Sequence, residues 1–261
     1  MKNFIRILAL MFILVTFTFT VKAQLSGTYT VGSGGTYTTL TEACDSLKIN
    51  GVNGPTTFVI SSGTYNEAIQ LNGIIPGASD TNTITFISAA NHADSVVIYA
   101  SGTTVGLSNV SHINFRFLTL GRTDNTGERT VLFDSSNTDI HFYGCIINSY
   151  TSGTTDAYCG VYYNQVQNAT TYLSNVTFKK NTFNGGYSNL YFNYACGNNT
   201  YMGNSSIIID SNILNDAYHS GIYAYYYAYI PSISYNEITT RASSGTQYGL
   251  YLYYYSTFNE I

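Results

Sequence analysis

Tryptophan is absent from this 261-residue sequence, and Asp, Glu, Lys and Arg together supply only 9% of it. Acids outnumber bases 14 to 10, so the cationic surface that a nucleic acid backbone demands is excluded. The four cysteines, Cys44, Cys145, Cys159 and Cys196, are too few and too irregularly spaced for a stapled scaffold or a zinc pattern. They read as packing residues; Cys159 and Cys196, near strand segments of neighbouring coils, are the one pair placed for a bridge. The turn at Gly32 to Gly35 has no following Lys-Ser/Thr and no dinucleotide fingerprint, so no nucleotide cofactor is implied. His92, His112 and His219 each stand alone in the sequence, and no acidic cluster is dense enough for calcium, so no metal site is expected.

Long apolar runs are missing too, with one exception. Residues 7–21 are apolar, follow Lys2 and Arg6, and end at Val21-Lys22-Ala23. Small Ala23 and the abrupt change to Gly, Ser and Thr identify a cleaved secretory leader (1–23) and not an anchor, leaving Gln24 first. Its loss removes Lys2, Arg6 and Lys22 and takes the formal charge from −4 to −7. A secreted protein, extracellular or on the outer cell surface, is expected.

What the sequence has in abundance is Gly, Ser, Thr, Asn and 26 tyrosines, a neutral hydrogen-bonding composition that suits sugars better than polyanions. It also has repeats. Ile113-x-Phe115, Ile140-x-Phe142, Val176-x-Phe178, Ile207-x-Ile209 and Pro231-x-Ile233 are each followed three residues later by a turn position. Those positions are Leu118, Cys145, Asn181, Asn212 and Asn236, and the final Phe258-Asn259-Glu260-Ile261 repeats Tyr235-Asn236-Glu237-Ile238. From 118 to 259 the spacings are 27, 36, 31, 24 and 23 residues, one coil each with loops of variable length.

Short apolar alternations broken by Asn and Gly are strand chemistry. Asn tolerates the left-handed bend and stacks its amide on the Asn one coil away, which predicts an asparagine ladder. A second column, Gly160-Val-Tyr162, Asn189-Leu-Tyr191, Gly221-Ile-Tyr223 and Gly249-Leu-Tyr251, requires at least two stacked parallel sheets. Long parallel crossovers are right-handed. The fold class expected is all-β, a right-handed parallel β-helix with a short N-terminal capping helix over Thr38 to Leu47. Residues 24–100 would form the cap and first coils, with strands at Thr57–Ile60, Thr83–Ile87 and Val96–Tyr99, and residues 101–261 the repeats. The sequence stops directly after a turn element, which predicts further C-terminal coils or a sorting module.

Gly35-Thr-Tyr-Thr-Thr-Leu-Thr-Glu-Ala-Cys-Asp-Ser-Leu47 and then Gly63-Thr-Tyr-Asn-Glu67 resemble the entry of the pectin-lyase-like β-helix superfamily, in particular pectin methylesterases, whose first signature is GxYxE. The resemblance implies a fold, and for the esterases an activity resting on two aspartates, glutamines and an arginine. Their aspartate-bearing signatures are not found here. Leu120-Gly-Arg122 resembles the start of the arginine signature, but Thr123 and Asp124 replace its Pro-Trp, and Asp134 has no matching context. No catalytic residue is transferable, and Gly63 and Glu67 read as serving the first turn of the coil.

Alternation points Asn114, Arg116, His141, Tyr143, Thr177, Lys179, Ile208 and Asp210 outward, with Arg116, Tyr143, Lys179 and Asp210 in one column and Lys179 beside Asp210. Such a set reads first as a solvated outer face with one salt bridge, and second as the base and cation that a polysaccharide lyase needs. Aligning Gly221 with Gly249 superposes Tyr223 on Tyr251, Tyr225 on Tyr253, Tyr226 on Tyr254 and Tyr227 on Tyr255, with Tyr162 and Tyr191 extending the first column. These rings form either a cross-strand ladder or a carbohydrate platform of Tyr191, Tyr223, Tyr225, Tyr251 and Tyr253. The functional expectation is a β-helix contacting glycans or other surfaces through this tyrosine face; the alternative is a polysaccharide-degrading lyase or esterase. Glycosylation triplets at Asn109, Asn168, Asn175, Asn198 and Asn204 follow from composition alone.

Overall fold

The computed structural model describes residues 23–122, 128–167, 169–196, 205–241, 245–254 and 257–260, the last four as backbone. The leader, the triplets at Asn168, Asn198 and Asn204, residues Thr123 and Asp124, and Tyr255 lie outside the described residues. So do any coils beyond Ile261.

Among the described residues every strand pairing is parallel, and the strands are dealt in rotation to three sheets. The first sheet has nine strands stacked in chain order, from Leu25–Val31 through Asn137–Tyr143, Leu173–Lys179 and Ile207–Asp210 to Thr257–Glu260. The second runs from Gly63–Tyr65 to Glu237–Thr240 and the third from Ile69–Asn72 to Tyr248–Tyr253, seven strands each. Among the described residues this is seven full coils of a right-handed parallel β-helix. Three sheets replace the minimum of two that the repeats required. The missing one contains Val96–Ala100, which does alternate, but in the later coils strands of three residues, such as Ile146–Asn148 and Thr182–Asn184, are too short to show an alternation.

Identical side chains stacked one strand apart form the interior. Phe58, Phe86, Phe115, Phe142 and Phe178 are almost wholly buried and stack with centroids 5.0, 5.6, 4.7 and 5.4 Å apart. At the bend between first and second sheets the predicted asparagine ladder is present. Asn212 Oδ1 accepts from the Asn181 backbone N–H at 2.9 Å and from its Nδ2 at 3.1 Å, and Asn236 serves Asn212 in the same way. The amide of each Asn also donates to a carbonyl of the preceding coil, Asn181 to Phe142, Asn212 to Phe178 and Asn236 to Ile209. Two further ladders were not anticipated: Asn148, Asn184 and Asn215 on the second sheet, and Asn164 with Asn193 on the third.

The capping helix α1 spans Leu40–Asn50, slightly later than predicted, because Thr39 is its N-cap: its hydroxyl accepts from the Glu42 N–H. Leu40, Ala43, Cys44 and Leu47 are buried against the first coil. Glu67, the last residue of the GxYxE pattern, accepts from the Thr41 N–H and hydroxyl, both at 3.0 Å. Tyr65 donates its hydroxyl to the Ser61 carbonyl at 2.8 Å. The signature therefore ties the cap to the first coil, and its role here is architectural.

All four cysteines are buried and free, so the Cys159–Cys196 bridge does not form. Burial pushes the thiols of Cys44, Cys145 and Cys196 up to about 12. Cys159 instead packs with Tyr162 and Tyr191, and the Cys196 thiol meets the Tyr227 carbonyl.

Replacing Asn212 by Ala leaves the Asn181 N–H buried without its acceptor, which costs about 1–3 kcal/mol. Asn215→Ala, on the half-buried outer ladder, is expected to cost under about 1 kcal/mol by the same reasoning. Urea denaturation of the two variants measures the difference, and equal losses would contradict the ladder's structural role.

Candidate functional site

Two outer faces carry concentrations of chemistry. On the first sheet the predicted column is in register, Arg116 beside Tyr143, Tyr143 beside Lys179, and Lys179 beside Asp210. The Arg116 guanidinium lies 5.4 Å from the Tyr143 ring centroid, and the Lys179 ammonium is 2.6 Å from the Asp210 carboxylate. Asp210 also accepts from the Ser211 hydroxyl at 2.9 Å. The hydrogen bond with Lys179 holds the Asp210 carboxyl below its ordinary range, and the same bond holds the Lys179 ammonium above its own. A general base works best when its pKa lies near the working pH. Here each partner drives the other away from that range, and the pair bridges two adjacent coils.

The third sheet carries the tyrosines. Tyr162, Tyr191, Tyr223 and Tyr251 stack one per coil, with centroids 4.8, 4.3 and 4.9 Å apart and planes within 20°. Tyr225 and Tyr253 form a parallel column at 5.1 Å and 7°. Because Val161, Leu190, Ile222 and Ala224 are buried in the main core, both columns lie outside it, as alternation requires. The flat faces are nevertheless occupied by one another. What each ring presents outward is its edge and hydroxyl.

Exposure is graded along the first column. Tyr162 and Tyr191 are only 6% and 8% exposed, whereas Tyr223 and Tyr251 are half-buried and Tyr253 is 47% exposed. The cover is the segment from Tyr150 to Tyr158, which belongs to the 36-residue coil, the longest in the repeat. Asp156 of this segment accepts the Tyr162 hydroxyl at 3.0 Å, and Arg129 lies 3.9 Å over the Tyr162 ring. Burial pushes the Tyr162 and Tyr223 hydroxyls up to about 12, and Tyr191 upward as well, so all three are neutral donors. Where the cover ends, Thr154, Thr155, Asp156, Tyr187, Tyr191 and Tyr223 wall a cleft of about 320 Å³.

His219 does not stand alone. It stacks on Tyr187 at 4.8 Å and 10°, and its ring is 5.9 and 5.5 Å from Tyr223 and Tyr251. Burial lowers its pKa, keeping the imidazole neutral. Nor is His112 isolated: Asp139, on the neighbouring strand of the first sheet, and Asp80, from the loop before Ile84, lie beside it. Neither Asp156 nor Tyr187 was singled out by the repeats; the extra length of the coil between Cys145 and Asn181 is the signal that marks the wall.

No protein-family model matches the chain, and no curated protein does. Solved structures with similar chain traces include a pectin methylesterase from Aspergillus niger in a penultimately deglycosylated form, 16% identical over 92% of this chain and 91% of that one, with a TM-score of 0.40. A pectin methylesterase mutant in complex with a hexasaccharide gives 13% identity over 85% and 68% of the two chains, with a TM-score of 0.43. The sheet order and register described above rest on this chain's own hydrogen bonds. No helix among the described residues is long and apolar enough to cross a membrane.

Because the Asp210 carboxyl is held low in the folded state, its contribution to stability is present above the unfolded value of about 3.9 and is lost as pH falls through the folded value. Wild type is therefore expected to be more stable than Asp210→Asn at pH 6, with the gap closing on acidification below about pH 4. Denaturant titrations at pH 6, 4 and 3 check this; a gap that widens with acid would contradict it.

Proposed function

We propose that this chain is an exported β-helix that contacts neutral polysaccharide through the cleft on its tyrosine face, as a binding surface and not a reaction centre. The observation that carries the reading is the cleft between the Thr154–Asp156 wall and the Tyr191–Tyr223 edges. It brings together hydroxyls, one carboxylate and aromatic edges, the groups that hydrogen-bond sugar hydroxyls and pack their C–H faces. The composition favours the same ligand class, since a chain with 9% charged residues offers little to a polyanion. Tyr225, Tyr251 and Tyr253 continue the surface toward the last described coil, with Tyr253 the most exposed of the three. The stacked rings make their geometry rigid before any ligand arrives, which lowers the ordering cost of binding.

Cleavage of polysaccharide by the first-sheet column is the weaker reading. Arg116, Tyr143, Lys179 and Asp210 lie on successive strands of one column, but Lys179 and Asp210 are paired with each other, which leaves neither of the two poised to take a proton.

Glycan-array binding of the mature chain, followed by calorimetry on the best oligosaccharide, tests the proposal. Tyr223→Ala/Tyr251→Ala is expected to reduce affinity at least tenfold. Tyr223→Phe keeps the stack and removes the hydroxyl, so it should weaken binding while the melting temperature stays at the wild-type value. Absence of binding by wild type, or unchanged affinity in both variants, would overturn the proposal. Turnover of pectic substrates lost in Asp210→Asn would favour the enzyme instead.

A further inference from the structure

Three successive coils adopt the same uncommon backbone at the same register position. His112, Asp139 and Asn175, just ahead of the inward residues Ile113, Ile140 and Val176, have φ of 60°, 54° and 50°. Left-handed backbone is uncommon for residues with a side chain, though His, Asp and Asn accept it more readily than most. Its repetition stacks three polar side chains in one outward column at the margin of the first sheet.

The column is organised further by its own contacts. Asn175 donates its side-chain amide to Asp139 Oδ1, which leaves Oδ2 directed at His112, 3.2 Å from Nδ1. Asp80, from the loop between strands Ile69–Asn72 and Ile84–Ser88, places Oδ1 3.4 Å from the same nitrogen. All three donor atoms lie within 4.8 Å of one another. His112 Nδ1 is itself buried and makes no well-formed hydrogen bond. An imidazole nitrogen carries at most one proton, so it can satisfy only one of the two carboxylates that face it.

A metal ion satisfies all three at once. Donors about 2.1 Å from a tetrahedral ion sit about 3.4 Å from each other, and the two distances from His112 are 3.4 and 3.2 Å. The group borders a small open cavity of about 200 Å³. Asn114 and His141 also line that cavity. One imidazole nitrogen with two carboxylates suits zinc, cobalt or manganese better than calcium, which takes six to eight oxygens.

We propose that Asp80, His112 and Asp139 form a three-ligand site for a divalent transition-metal ion, open on the cavity side to water or a further ligand. The site lies on the first sheet and is independent of the tyrosine cleft. Bound metal would pin the Asp80 loop to two coils behind it.

The test uses the untagged mature chain, stripped of metal and titrated with Zn²⁺ by calorimetry and with Co²⁺ by visible absorption. One equivalent is expected to bind, with at least a tenfold loss of affinity in His112→Ala and in Asp139→Asn. His92→Ala, which removes the exposed histidine beside Asp94, should bind as wild type. Excess Ca²⁺ should not displace the ion. Imidazole nitrogen NMR of the wild-type chain gives a reading that needs no variant: the His112 Nδ1 resonance should move on adding Zn²⁺. No uptake at about 1 mM Zn²⁺, an unmoved His112 resonance, or affinity unchanged in a folded His112→Ala variant would overturn the proposal.

Discussion

The hydrogen bond from one coil's asparagine to the next coil's backbone is the constraint on which the rest of the molecule depends. A solenoid bend buries peptide groups that no sheet can pair, and an unpaired buried group costs about 1–3 kcal/mol. At this bend each asparagine oxygen accepts the backbone N–H one coil back, while the amides of Asn181, Asn212 and Asn236 add a tie to a carbonyl of the preceding coil. These bonds form only if equivalent residues stay in register one strand spacing apart. That register lines up the five phenylalanines of the core and, on the outside, places Lys179 against Asp210 and Tyr191 against Tyr223.

Register also decides what the surface can offer. Rings repeated at one strand spacing stack on each other, so a tyrosine column spends its flat faces on cohesion and shows ligands its edges. Recognition then depends on departures from the repeat. The long coil between Cys145 and Asn181 provides the largest departure: its extra residues fold over Tyr162 and Tyr191 and stop short of Tyr223, converting a flat ladder into a walled cleft. The left-handed residues at His112 and Asp139 depart from extended strand backbone and set polar side chains of adjacent coils beside the carboxylate of a loop.

Much of this was readable from the amino acids. Three-residue alternations and the Asn column gave the parallel coil, the outward position of Lys179 and Asp210, and the superposition of Tyr223 on Tyr251. These depend on differences between positions along one repeating strand, which sequence alignment reports directly. The cover over Tyr191, the neighbours of His112 and His219, and the second sheet as a separate sheet were not readable. Asp156 and Asp80 come from loops whose course has no repeat to fix it, and the second-sheet strands of the later coils are too short for alternation to appear. Glu67 shows the complementary case: its motif was recognised, but its role in holding Thr41 of the capping helix emerges only when the two segments are seen together.

The most direct test of the account is a crystal structure of the mature chain soaked with a neutral oligosaccharide that it binds. Sugar density should lie in the cleft between Thr154–Asp156 and Tyr223, with hydroxyls hydrogen-bonded to tyrosine edges and to Asp156. Density along Arg116, Tyr143 and Lys179 on the first sheet, with the tyrosine cleft empty, would contradict it.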